Sequence, residues 1–480
     1  MLLNEIEKIN NYKWLIPQKN DMRVPGILFI SEQLLHKALS DNAPSQIINV
    51  AKLPGIVKYS LAMPDVHWGY GAPIGGVGAF DAEDGVIAPG FVGYDICCGV
   101  RLLKTNLQLK DIQDHLGVLL NSLFIDIPSG VGSESNLALK KKELEKVLVE
   151  GVGWAVKNGF GTHQDIEHIE DQGTKKNANP DNVSSRAYER GRTQLGTLGS
   201  GNHFLEIQQI TDIYEKTIAS KYGISKGQIT VMVHSGSRGL GYQVCADYLD
   251  RFGKVSSKYG ITLPDRQLAC APANSKEGRQ YFEAMNAAAN YAFTNRQIMT
   301  HRIRQTFSQV LGVPWEQLGM NTVYDVSHNI CNLEKHMVDG KERELYIHRK
   351  GATRAFPKGH PALPERYKDT GQPVFIPGTM GTSSYILVGT EKAMDETWGS
   401  TCHGAGRTMS RHQALKESSS RNIPKELANK GILIRGASKK GLAEEMPDAY
   451  KSIDEVIKAV EGAGLSQKIA RMAPIAVIKG

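Results

Sequence analysis

Residues 277–310 read EGRQYFEAMNAAANYAFTNRQIMTHRIRQTFSQV, and Phe282, Met285, Ala289, Ala292, Met299, Ile303 and Val310 fall on one helical face. That spacing predicts a single long helix over Glu277–Val310. A second helix is expected near Leu137–Lys157, and a third opening with the Ser452-x-x-Glu455 capping box. Around them lie short β-like runs: Ile229–Val233, Glu344–Ile347, Val374–Ile376, Tyr385–Val388 and Ala476–Ile478. Strands and helices do not alternate as a doubly wound sheet requires, so the pattern points to an α+β fold, with mixed sheets flanked by helices. No repeat and no interdomain linker interrupts the sequence, and one compact unit over residues 1–480 is expected. The polar run Asp171–Arg186 reads as a surface loop.

The chain has 480 residues, 41% hydrophobic and 22% charged, enough for a large core without disulfide staples. Glycine is abundant, 49 residues in short clusters without a period, which excludes collagen and flexible linkers. No apolar run approaches the ~20 residues of a membrane span, and acids follow Met1 where a signal peptide carries base. A cytoplasmic protein with no membrane partner is expected. The six cysteines, none in C-x-x-C spacing, are then reduced thiols.

Charge is concentrated. From Arg407 to Lys440 nine basic residues face only Glu417 and Glu426, so this segment carries +7, equal to the net charge of the whole chain. Such a segment suits a polyanion such as RNA or DNA. The P-loop, the H-E-x-x-H helix and the Lys-x-Asp-Gly ligase signature are all absent.

Four histidines share a setting of glycine and Asn/Ser neighbours: His203, His234, His328 and His403. Asp95 and Cys98 add a carboxylate and a thiolate three positions apart. Together they are an inventory for a mono- or dinuclear divalent site, in which a thiolate sulfur can bridge two ions. Ligand softness alone favours Zn²⁺. His403 is followed by Gly404-Ala-Gly-Arg407, where backbone N–H groups and a guanidinium suit a phosphate. A neutral imidazole there is a candidate nucleophile at phosphorus.

The strings Met63–Tyr70, Gly93–Arg101, Gly199–Glu206, Val233–Gly239, Ser327–Asn329, His348–Thr353, Pro377–Met380 and His403–Arg407, in that order, resemble the RtcB family of GTP- and Mn²⁺-dependent RNA ligases. The resemblance runs from about residue 20 to Lys479. It implies two Mn²⁺ ions, one at Asp95, Cys98 and His203, the other at Cys98, His234 and His328. It implies His403 as the nucleophile that takes GMP from GTP. Around the nucleotide it implies Asn202, His203, Phe204, Leu205, Glu206, His328, Asn329, Pro377, Gly378, Thr379, Met380, Ser384, His403, Gly404, Ala405, Gly406, Tyr450 and Lys479. Thr379 stands where Ser or Gly is commoner in the family.

Arg238 and Arg407, with the Arg349–Lys358 stretch, are expected on RNA phosphates. The implied reaction joins a 2′,3′-cyclic phosphate or 3′-phosphate RNA end to a 5′-hydroxyl end, as in tRNA splicing and RNA repair. The implied partners are RNA, such as tRNA halves, and the small protein archease, with the chain a monomer. A metal-dependent phosphohydrolase acting on nucleic acid is the alternative, since it uses the same ligands without a guanine pocket.

Overall fold

The computed structural model describes residues 3–480 and is α+β. Two large sheets carry the fold. The first has seven strands, running in space from Glu7–Asn10 through Lys13–Ile16, Gly26–Phe29, Ile56–His67, Ile74–Asp81 and Lys341–Lys350 to Asn329–Val338. The second has eight: Asn321–Ser327, Gly99–Gln108, Gln228–Ser235, Phe204–Ile213, Ser466–Lys479, Ser384–Gly389 and Pro373–Ile376 in order, with Leu433–Gly436 parallel to the 466–479 strand. His328 is the single residue between the last strand of one sheet and the first of the other.

The long helix spans Lys276–Leu311, one residue beyond the sequence expectation at each end. Ser275 caps it by accepting from the Gly278 N–H at 3.0 Å, and Gly312 at φ +67° ends it. Its apolar face packs with the Arg238–Lys258 helix in one core cluster, while Met299, Ile303 and Phe307 close a second beneath the eight-stranded sheet. Much of the polar remainder of the helix is buried too. Asn286, Asn290, Thr294, Asn295, Arg296, Gln297, Thr300 and Arg304 all lie inside the protein.

Three expectations are corrected. The helix expected over Leu137–Lys157 is two, Lys141–Glu150 and Val152–Lys157, broken by Gly151 at φ +56°. Ser452 does precede the Ile453–Ala463 helix, but its side chain makes no capping bond. The run Asp171–Arg186 is not simply a surface loop, because Asp171 pairs with Arg354 (3.0 Å) and Lys175 reaches Asn332 (2.5 Å). No helix among the described residues is long and apolar enough to cross a membrane.

Candidate metal centre and nucleotide pocket

Antiparallel pairing brings the expected ligands to one edge of the eight-stranded sheet. The 99–108 strand begins where the 228–235 and 321–327 strands end, with Gly99 opposite both Ser235 and Ser327. The 204–213 strand begins opposite His234, which faces Phe204. Cys98, His203, His234 and His328 therefore converge, although 230 positions separate the first from the last. Cys97 at φ +56° turns the chain so that Asp95 and Cys98 meet the same point. Gly236 leaves room for Asp95, since a Cβ there would lie 2.4 Å from Oδ1.

The result is two ligand groups sharing one sulfur, Asp95–Cys98–His203 and Cys98–His234–His328, each with its ligand atoms within 4.8 Å of one another. Cys98 Sγ lies 3.4 Å from His203 Nε2 and 3.2 Å from His234 Nε2. His203 Nε2 is 2.7 Å from Asp95 Oδ2, and the Nε2 atoms of His234 and His328 are 3.2 Å apart. Burial favours the uncharged forms, pushing the Cys98 thiol well above its ordinary value and the His234 and His328 imidazoles well below theirs. Burial also opposes ionisation of Asp95, but the adjoining His203 prevails and brings its carboxyl to about 2. Neutral imidazoles are ready ligands, and a bound cation deprotonates a coordinating thiol. The donor set would therefore suit two divalent cations, with Cys98 a ligand common to both groups.

His403 follows the short strand Ser400–Cys402 and packs against the Cys98–His234–His328 group, its ring centroid 4.8 Å from that of His328. Its Nδ1 meets Asp65 Oδ2 at 2.5 Å, and the same oxygen accepts the His403 and Gly404 N–H groups at 3.0 and 3.3 Å. Burial alone would raise the Asp65 carboxyl, yet His403 holds it below its ordinary value. Gly351, at φ +58°, is required beside the ring, because a Cβ there would meet Ile74 Cγ2 at 2.3 Å and His403 Cε1 at 3.0 Å. One cavity of about 870 Å³ joins the two ligand groups to His403, Asn202, Asn329, Lys350, Arg190, Arg238 and Arg411.

The sequence profile described as tRNA-splicing ligase RtcB matches residues 46–480. This chain belongs to the RtcB family. It is 53% identical over 477 residues to a tRNA-splicing ligase RtcB of Archaeoglobus fulgidus and 51% identical over 476 residues to that of Thermococcus kodakarensis, covering 99% of each chain in both cases. The protein so named from Methanococcus maripaludis is 52% identical over 469 residues.

Within this RtcB-family fold the other expected residues divide by position. Glu206, Ser384 and Lys479 lie behind the cavity. Gln208 Nε2 donates to Glu206 Oε2 (2.7 Å) and Ser384 Oγ (3.1 Å), and Ser384 Oγ accepts the Gly378 N–H at 3.3 Å. Burial pushes the Glu206 carboxyl up to about 7, against the Gln208 hydrogen bond and the Lys479 charge. Lys479 Nζ sits 3.9 Å from Glu445 and over the Phe204 ring, and Glu445 also accepts from the Tyr450 hydroxyl. Thr379 turns its hydroxyl to Thr382 Oγ1 at 3.0 Å, and Asn329 Oδ1 accepts the Gly351 N–H at 2.8 Å.

Three expected side chains turn away from the cavity. Leu205 alternates to the opposite sheet face from Phe204 and Glu206 and is sealed in the core, leaving only its backbone to a nucleotide. Met380 is likewise buried, against Leu427, Met446 and Val477. Pro377 and Ala405 are buried beside the pocket, whereas Gly404 and Gly406 flank Asp65. Arg407 turns inward to Met409 O (3.1 Å), Glu444 O (2.8 Å) and the Tyr450 hydroxyl (3.1 Å), and Arg411 faces the cavity in its place. Arg238 lines the cavity and donates to Thr197 Oγ1 at 3.1 Å.

Asp65 and Gln208 are functional candidates that sequence reasoning missed. Asp65 stood inside the quoted Met63–Tyr70 string, and only its contact with His403 reveals a role. Lys451 supports it by donating to Pro64 O at 3.1 Å and to Val66 O, on either side of Asp65.

Proposed function

We propose that this chain is an RNA ligase that joins 3′-phosphate or 2′,3′-cyclic phosphate RNA ends to 5′-hydroxyl ends through a His403–GMP intermediate. The observation that carries the reading is His403 itself: one ring nitrogen is held by Asp65, and the ring adjoins His328 in a cavity lined by three arginines. A carboxylate against Nδ1 places the proton there and leaves the Nε2 lone pair free. Nε2 attacks the α-phosphorus of GTP, forming the N–P bond as the bond to pyrophosphate breaks.

The RNA cyclic phosphate is opened by water to a 3′-phosphate. A 3′-phosphate oxygen then takes GMP from His403, breaking the N–P bond and restoring the imidazole. Finally the 5′-hydroxyl oxygen attacks the RNA phosphorus, the phosphodiester forms, GMP departs and the hydroxyl proton passes to solvent. Asp95, Cys98, His203, His234 and His328 would hold two Mn²⁺ ions, which neutralise charge developing on phosphate oxygens. Glu206, once ionised, accepts from guanine N1–H and the N2 amino group, a donor pair adenine lacks. Arg190, Arg238 and Arg411 face the RNA backbone.

Incubation with α-labelled GTP and Mn²⁺ tests the proposal. The expected result is a covalent label lost in His403→Ala, together with joining of 3′-phosphate and 5′-hydroxyl RNA. Absence of label with hydrolysis of RNA phosphate would establish a phosphohydrolase instead.

A further inference from the structure

We propose that Asn295 and Arg296, neighbours on the Lys276–Leu311 helix, are positioning residues that hold the ligand-bearing segments of both metal groups in register. The inference rests on reading those two groups as a metal centre. Neither side chain is a ligand. Each grips the backbone beside the ligands.

Arg296 is fully buried. Its Nη1 donates to Cys97 O at 2.8 Å and to Ser235 O at 2.9 Å, one residue from Cys98 and from His234. Its Nε and Nη2 bind the Asp325 carboxylate at 2.8–3.0 Å, three residues before His328. One planar fork thus ties together the three segments that deliver Cys98, His234 and His328. Asp325 also accepts from Arg101 Nε at 2.7 Å, so one buried carboxylate serves two buried guanidinium groups.

Asn295 does the same for the other group. Its Oδ1 accepts the Gly196 and Thr197 N–H groups at 2.7 and 3.2 Å, and its Nδ2 donates to Thr197 O (3.1 Å), Ser235 Oγ (3.1 Å) and Gly236 O (3.2 Å). Ser235 Oγ itself donates to Leu198 O at 2.7 Å. These contacts fix the run leading into His203 and the Gly236 backbone against which the Asp95 carboxylate packs.

The need for such a clamp is visible in the ligands. A metal-binding imidazole usually donates its second ring nitrogen to a carboxylate or carbonyl, which sets the ring orientation. The buried Nδ1 atoms of His203 and His234 have no hydrogen-bond partner in the protein. Orientation therefore passes to the main chain at both ends of the ligand loops, and Asn295 and Arg296 supply it.

Titration of the metal-free protein with Co²⁺ tests this, because thiolate charge-transfer and d–d absorption report binding without any assay of turnover. His203→Ala and His328→Ala assign the two binding steps. Asn295→Ser should weaken the step of the Asp95–Cys98–His203 group about 10–100-fold, the usual effect of losing an outer-sphere partner, and the other step less, through Ser235 and Gly236 beside His234. Arg296→Lys keeps a cation beside Asp325 but lacks the fork, and should weaken both steps.

Tyr291→Phe on the same helix removes a buried bond to Gly191 O (2.7 Å) without touching a ligand segment. It should lower the melting temperature with both steps intact, which separates positioning from stability. Folded Asn295→Ser that binds both ions as the parent does would overturn the inference, as would full rescue by lysine at position 296. If the parent protein shows no two-step binding, the metal reading fails and this inference falls with it.

Discussion

Asp65 and His403 lie 338 positions apart, yet one carboxylate oxygen binds both the ring and the backbone of the histidine: Asp65 Oδ2 meets His403 Nδ1 at 2.5 Å and the His403 N–H at 3.0 Å. Lys451 holds the carbonyls on either side of Asp65, so the carboxylate itself has little freedom. The pair fixes the tautomer and the direction of the imidazole, as an acid behind a catalytic histidine does in hydrolases.

Asp65→Asn should therefore suppress formation of the enzyme–GMP adduct by roughly 10²–10⁴-fold, by analogy with tautomer loss in a hydrolytic triad. Binding of two ions should be retained, since Asp65 belongs to neither ligand group. Single-turnover labelling with α-labelled GTP, alongside a metal titration, checks both halves.

Nucleophile and metal centre should separate on preactivated RNA. His403→Ala loses the adduct and the joining of 3′-phosphate RNA, but it should still seal RNA already carrying a 3′-guanylylated end. Cys98→Ala removes the sulfur common to both groups and should fail on either substrate. A His403→Ala variant equally dead on activated RNA would show that the ring also aligns the strand or the ions.

On the proposed reading, Glu206 would make nucleotide recognition depend on pH. Its carboxyl, raised by burial to about 7, would have to ionise to accept both donors of a bound guanine. GTP binding should strengthen as pH rises from 6 to 8, whereas Glu206→Gln should bind more weakly and with little pH dependence. Stability runs the opposite way. Between the ordinary carboxyl value of 4.5 and about 7, the folded protein retains a proton that the unfolded chain releases. Melting of the ligand-free parent should thus fall relative to Glu206→Gln as pH rises through that window. Calorimetric titration and thermal melts at matched pH test the two signs.

The arginines of the basic segment should behave differently from one another. Arg411, 59% exposed and facing the cavity, should when changed to Ala raise the KM for RNA and reduce the salt slope of binding by about one. Arg407→Ala removes the 3.2 Å ion pair to Glu445 and the bond to the Tyr450 hydroxyl, leaving Glu445 to Lys479 and Arg411, so it should lower stability and GTP binding more than RNA affinity. Equal salt slopes for the Arg411→Ala variant and the parent would place the RNA elsewhere.

The long helix, the main strands and the chemistry of the ligand set are legible from sequence because they are local. A helical face repeats within a few residues, and a histidine between glycine and asparagine advertises its setting in the same string. The α+β class follows from that local order, and the motif strings suffice to point to the family. What the sequence does not encode locally is which distant residues share a point.

Only the strand register places Gly99 opposite Ser235 and Ser327, which makes one site of Asp95, Cys98, His203, His234 and His328. Only the close approach of residues 65 and 403 gives Asp65 its role, and only strand alternation turns Leu205 away from Glu206. The long helix shows the division most clearly. Its apolar period predicts burial of one face, but the burial of Asn295 and of Arg296, a charged side chain between Ala292 and Met299 on that face, depends on backbone carbonyls and amides that converge from three separate segments and on the Asp325 carboxylate. Those unpaired polar groups exist only once the sheets are assembled, and satisfying them is a tertiary requirement that no local pattern contains.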